Sequence, residues 1–121
     1  MSVESIATEF FSAIERFDKA ALNRLYDDSV EIWHNFTDQC MDKQTNISLL
    51  LKLANAGNPK YKVAERHIIG GRVVQRHVLE VSLKDGGQIS IPAAIFMTIR
   101  DDRIVRIDEY IDSAHVVPGL M

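Results

Sequence analysis

The chain is poor in cysteine, proline, tryptophan and long apolar runs, and each shortage excludes something. Cys40 is the single cysteine among 121 residues, so no internal disulfide forms and no pair of thiolates offers a metal chelate. With three prolines and six glycines there is no linker or low-complexity stretch, and residues 1–121 read as a single domain. No apolar run approaches the roughly 20 residues a membrane span needs. The N-terminus, Met1-Ser2-Val3-Glu4, places an acid where a signal peptide carries basic residues; with the lone thiol, this leads us to expect a cytoplasmic protein. Positive charge is also in short supply. Lys and Arg number 14 against 17 Asp and Glu, for a net charge of -3, and no basic stripe invites nucleic acid. The four histidines lack chelating HxH or HExxH spacing, and neither Gly70-Gly71 nor Gly86-Gly87 opens a helix that would cradle a phosphate. No metal and no cofactor is therefore expected.

What the chain does have is periodicity. Val3, Ile6, Ala7, Phe10, Phe11, Ile14 and Phe17 recur at helical spacing, with Ser2 as a possible cap. A second short helix is predicted from about Asp18, with Ala21, Leu22, Leu25 and Tyr26 as its apolar side and Asp27-Asp28-Ser29 as its end. Val30 to Phe36 reads as a strand. A third helix starts at Asp42 or Thr45 and stops at Gly57-Asn58-Pro59. Beyond Lys60 the period changes to two. Strands are predicted over 61–69, 73–83, 89–99 and 104–111, separated by Gly70-Gly71, Lys84-Asp85-Gly86-Gly87 and Asp101-Asp102. Pro92 removes a ladder donor, so a bulge or an edge is expected there. Helices followed by a meander make an α+β domain, in which three helices on one side of a curved antiparallel sheet enclose a conical cavity. The opposite sheet face carries Val74, Val78, Ala94 and Phe96 and needs cover, which a homodimer would supply.

The last strand holds the most informative residue. Val105, Ile107, Glu109 and Ile111 share one face by parity, so Glu109 is carried inward with apolar neighbours. A buried carboxylate must shift its pKa or find a partner. Glu109 is thus either an acid or base in a pocket or a rim residue, paired to an arginine or solvated. By the same parity His67 lies with Tyr61, Val63, Glu65 and Ile69, and His77 lies with Val73, Gln75, Leu79 and Val81. If both faces look into the cone, two imidazoles converge on Glu109. Each is otherwise a satisfied core histidine. Trp33 reads as a cavity wall, Tyr26 as lining or filling, and His34 as outward. Asp108, Tyr110 and Asp112 share a face with Arg106 and read as a solvated or interfacial surface.

These elements, with LYDDSVEIWHN at 25–35, AERHIIGGRVV at 64–74 and IPAAIFMTIRDDRIVRIDEYID at 91–112, resemble the cone-shaped fold of nuclear transport factor 2. Within that superfamily the chain is similar to the SnoaL-like and ketosteroid-isomerase-like small-molecule enzymes. The resemblance to limonene-epoxide hydrolases implies that Trp33 and Asn35 help hold an attacking water and that Glu109 replaces the last-strand Asp. The strand Arg and Asp of those enzymes fall near His77 and Leu79, and a leucine donates no proton. The resemblance to dehydratases of the superfamily implies an acid–base pair of Asp18 and His67. Ketosteroid isomerases carry their catalytic Asp near Ile32 or Trp33 here, which argues against that chemistry.

Three functions follow as expectations. The first is a cofactor-independent isomerase, lyase or cyclase acting on a small hydrophobic molecule, with Glu109 and His77 or His67 as base and acid and Asn35 and Gln75 as hydrogen-bond donors. The second is water addition of the epoxide-hydrolase type. The third is a non-catalytic binding or dimerisation module.

Overall fold

A computed structural model describes residues 1–115. Helix α1, Val3–Glu15, starts where the Ser2 side chain accepts the Ser5 N–H, and buries Ile6, Ala7, Phe10, Phe11 and Ile14. Helix α2, Lys19–Leu25, is capped by Asp18, whose carboxylate accepts from Ala21. Strand β1, Tyr26–His34, follows directly, so Asp27, Asp28 and Ser29 lie within a strand rather than in a helix terminus. The strand begins four residues before the expected Val30 and ends two before Phe36, because Tyr26 and Val30 are both buried and the strand spans the polar stretch between them. A three-residue strand β2, Gln39–Met41, was too short to leave a sequence pattern. Helix α3, Lys43–Gly57, is capped by Asp42 and ends at Asn58, whose left-handed backbone (φ +42°) breaks the helix.

Four long strands complete the chain: β3 Lys60–Ile69, β4 Arg72–Ser82, β5 Gln88–Arg100 and β6 Arg103–Ile111. Together the described residues form a six-stranded sheet in the order β2-β1-β6-β5-β4-β3. All neighbours are antiparallel except β1 and β6, which run parallel. This is the α+β roll expected: helices on the concave face of a mostly antiparallel sheet. Gly57 permits close approach of α3 to that sheet, since a Cβ there would lie 2.2 Å from Val81 Cγ1.

Pro92 makes no bulge, and it meets an edge only locally, just past the end of β6. It pairs regularly with Val78 in the central strand β5. Its carbonyl accepts from Asp112 N at 3.2 Å, so its missing donor faces the same side, where β6 has already ended at Ile111. The irregularities fall elsewhere. In β3 the pairing slips between Val63 and Glu65, leaving Ala64 as the extra residue. Between β5 and β6 it slips so that Ile99 faces Ile104 while Thr98 faces Arg106, which makes Val105 the extra residue and turns Ile104 into the core, fully buried. The C-terminal stretch 113–121 is apolar enough in sequence to dock on the domain. Ser113–His115 form a single 3-10 turn, and the rest lie outside the described residues.

Candidate active site

The cavity between the helices and the sheet is walled by Phe10, Phe11 and Ile14 of α1, by Leu49, Leu50 and Leu53 of α3, and by inward residues of five strands, among them Tyr26, His34, Tyr61, His77, Leu79, Ala93 and Glu109. Its space is about 610 Å³ with the mouth included, but only about 40 Å³ of it is free to the centre of a water molecule. The pocket is therefore narrow.

Polar groups in this apolar space are few. Glu109 pairs across the parallel ladder with His34, and His34 Nε2 lies 3.1 Å from Glu109 Oε1. The histidine side chain is 4% exposed and the carboxylate 19%, so the pair sits at the inner wall with the carboxylate partly open to the cavity. His77 is 1% exposed. Its Nδ1 lies 2.9 Å from Gln75 Nε2, and its ring meets Phe11 and Tyr61 edge-on at centroid distances of 5.4 and 5.3 Å. Nε2 of His77 is buried and has no hydrogen-bond partner among the described residues. On the sheet, Gln75, Ile95 and Glu109 form one cross-strand row, and His77, Ala93 and Ile111 the next. Two strand spacings across and a two-residue step along the strand put the Glu109 and His77 backbones roughly 12 Å apart on the floor, with Ala93 and Ile95 on the strand between them.

Burial lowers the His77 pKa from its ordinary 6.5; the Glu109 charge opposes that shift and the Arg66 charge adds to it. His77 is thus neutral at pH 7. Tyr26 and Tyr61 are pushed well above the usual phenol range, chiefly by burial and secondly by Glu109, so both stay protonated. The Tyr26 hydroxyl is committed to Asn46 Oδ1 at 2.6 Å.

The lowered His77 pKa has a consequence for stability. Between that value and 6.5 the unfolded chain binds more protons than the folded one, so stability rises with pH. The contribution is fully present above about pH 6.5 and is lost as pH falls toward the lowered value. Urea unfolding at pH 7.5 and 5.5 should show this loss, and His77→Asn should reduce the difference. An unchanged pH dependence in that variant would show that His77 does not cause it.

The family model for the SnoaL-like domain matches residues 7–107, a stretch that contains both buried histidines and ends just before Glu109. The chain belongs to the SnoaL-like family. Its fold is shared with IdmH of Streptomyces antibioticus, a candidate polyketide cyclase (TM-score 0.84, 14% identity, 95% of each chain covered). It is also shared with a limonene-epoxide-hydrolase-like epoxide hydrolase of M. tuberculosis (TM-score 0.80, 14% identity, 98% of this chain and 88% of that one). A third such structure is PrhC of Penicillium brasilianum (TM-score 0.81, 15% identity, 93% and 82%). No curated protein matches the chain.

Not every expected site residue reaches the SnoaL-like cone. Glu109, His77, Tyr26 and Leu79 line it, and Gln75, 1% exposed, stands behind His77. Four residues lie elsewhere. His67 is exposed on the outer face and pairs with Glu65 at 2.8 Å, because the bulge at Ala64 reverses the parity of β3 beyond it and turns Arg66 inward. Asp18 caps α2 and binds Arg16, and these bonds hold its carboxyl below the usual range. Trp33 turns to the outer face, where its indole N–H donates to Asp38 and its ring meets Tyr110 at 5.1 Å. Asn35 is spent on the backbone of Ile111, donating to its carbonyl at 3.2 Å and accepting its N–H at 2.9 Å.

His34 is the reverse case. Expected outside, it is 3% exposed and bonded to Glu109. The signal was present: Val30 and Ile32 share its parity and are buried, while Glu31 shares that of Trp33. Asp108 is on the outer face, as expected, and accepts two bonds from Arg106.

Proposed function

We propose that the cone is a cofactor-independent active site for proton transfer on a small, apolar carbonyl compound. The observation that carries this reading is the placement of one carboxylate, Glu109, and one neutral imidazole N–H, that of His77, on the same floor of an otherwise apolar cavity. Glu109 would remove a proton from carbon next to the carbonyl. His77 Nε2–H would donate to the carbonyl oxygen as negative charge develops there. His34 Nε2–H would hold the carboxylate in position. The proton on Glu109 would then return to a second carbon in isomerisation or go to a leaving group in elimination. In cyclisation the enolate would attack a second carbonyl of the same molecule.

Water addition to an epoxide has less support. Trp33 and Asn35 face away from the cavity, and Leu79 stands where a second acid would be needed. The distinguishing experiment incubates the protein with simple apolar ketones in deuterated water, and with epoxides in oxygen-labelled water. Protein-dependent deuterium uptake next to the carbonyl is the expected result. Labelled oxygen in an epoxide product would favour the hydrolase reading. No reaction with binding retained would leave a ligand-binding module and sink the proposal.

We also infer a single domain over 1–121, a cytoplasmic location in keeping with the exposed Cys40 thiol, and a homodimer through the outer sheet face. Among the described residues no helix is long and apolar enough to cross a membrane. Phe96 and Tyr110, 37% and 47% exposed, lie in edge contact on the outer face and would be covered by a second copy. Analytical ultracentrifugation should find a dimer for the native chain and a monomer for Phe96→Glu. A native monomer at high concentration would refute this interface.

A further inference from the structure

A line of polar side chains runs from α1 to the cavity floor. Arg66 Nη1 donates to Thr8 Oγ1 at 2.7 Å, Arg66 Nε donates to Gln75 Oε1 at 2.7 Å, and Gln75 Nε2 meets His77 Nδ1 at 2.9 Å. The direction of each bond follows from chemistry. A guanidinium has no acceptor, so Gln75 must present its oxygen to Arg66. The amide NH₂ is then left to face His77, and a donor there requires Nδ1 to be a bare lone pair. A neutral imidazole with an unprotonated Nδ1 carries its proton on Nε2. A second proton on the ring would set Nδ1–H against the amide NH₂, donor against donor.

The far end of the line is open. Nε2 is the ring atom most distant from the backbone, it is buried without a partner among the described residues, and Phe11 and Tyr61, which flank the ring, both line the cavity. We infer that Arg66 and Gln75 are positioning residues that hold His77 in its Nε2–H form and thereby restrict the pocket to ligands that bring an oxygen acceptor to that atom. The restriction on ligands rests on the function proposed above; the tautomer does not. Three charged or titratable groups bear on the ring: Arg66 behind Gln75, Glu109 across the floor on β6, and the Tyr61 phenol of β3. Thr8, on α1, holds the outer end of Arg66.

The test is the ¹⁵N spectrum of the His77 ring at pH 7.5 without ligand. In the native protein Nδ1 should resonate as a lone-pair nitrogen and Nε2 as a protonated one. Gln75→Glu presents a carboxylate to Nδ1 and should bring a proton to it; Gln75→Leu should leave a mixture of tautomers. If these variants do not fold, Arg66→Met frees the amide to turn over and gives the same comparison. A protonated Nδ1 in the native protein overturns the inference. So does an Nε2–H form that persists unchanged in every folded variant.

Two probes test the restriction on ligands. Cyclohexenone, which only accepts, should move the Nε2–H resonance; cyclohexylammonium, which only donates, should not. Movement by the cation, or by neither probe, overturns the restriction. Because the ring spectrum is read without ligand, inertness toward every ketone would remove the proposed reaction and leave the tautomer standing.

Discussion

Replacing Glu109 by Gln should lower the rate of proton exchange by about 10²–10⁴-fold, the usual contribution of a positioned general base. The amide keeps the shape of the carboxylate, and its oxygen still accepts from His34 Nε2, whose bond to Glu109 is 3.1 Å long. What it loses is the ability to take a proton. In free-energy terms the loss is roughly 3–5 kcal/mol of barrier, so it should appear almost wholly in kcat, with the thermal midpoint little changed. A rate within a few-fold of native, in a variant shown to be folded, would mean that another group removes the proton. His34→Phe should give a milder loss, since it removes the bond that orients Glu109 and leaves the base in place.

The second large effect is on stability. Phe10 is 4% exposed, lies edge-on to Phe11 at 5.1 Å and tilted against Tyr26 at 5.4 Å, and forms part of the cavity wall. Phe10→Ala should destabilise the fold by about 3–5 kcal/mol, the range for a buried aromatic truncated to alanine. Against the roughly 5–15 kcal/mol that holds a domain together, that is a large share, and the thermal midpoint should fall by roughly 10 °C or more. The same change enlarges a pocket with little free space, so the variant should take up bulkier ketones than the native chain. Denaturant unfolding checks the first expectation and ligand-induced melting shifts the second. A loss below about 1 kcal/mol would mean that the helix closes over the gap instead of leaving it open.

How much of the site was legible follows strand by strand. β4 runs without irregularity, so parity along it placed Val73, Gln75, His77, Leu79 and Val81 correctly on one buried face. On β6 the parity of Glu109 was right but that of Val105 was not: Val105 is the extra residue, and Ile104 takes the inward place. β3 misled for the same reason. Parity counted from Tyr61 predicts His67 inward, and the bulge at Ala64 delivers Arg66 instead. Nothing local in Val63-Ala64-Glu65 announces a bulge; the pairing with β4 decides it. On β1 the failure was of phase: Trp33 outweighed Val30 and Ile32, although two buried aliphatics are better guides to a core face than one amphipathic ring. The Glu109–His34 pair was beyond reach in any case, since it depends on the parallel joining of β1 to β6 across most of the chain.

The extra residue in β3 has a further consequence. Beyond the slip Glu65 pairs with Arg76 and Arg66 with Gln75, one place off the register that Tyr61 and Val63 set, so Ala64 is a surplus that the edge strand absorbs. Removing it would leave Tyr61, Val63, Arg66 and Ile68 on the same side as before. Shifting the surplus a few positions toward Ile69 would instead exchange Arg66 for His67 at the back of the cavity. The position of one spare residue on an exposed margin thus decides which side chain stands at the back of the cavity, while every amino acid of the central strands stays the same.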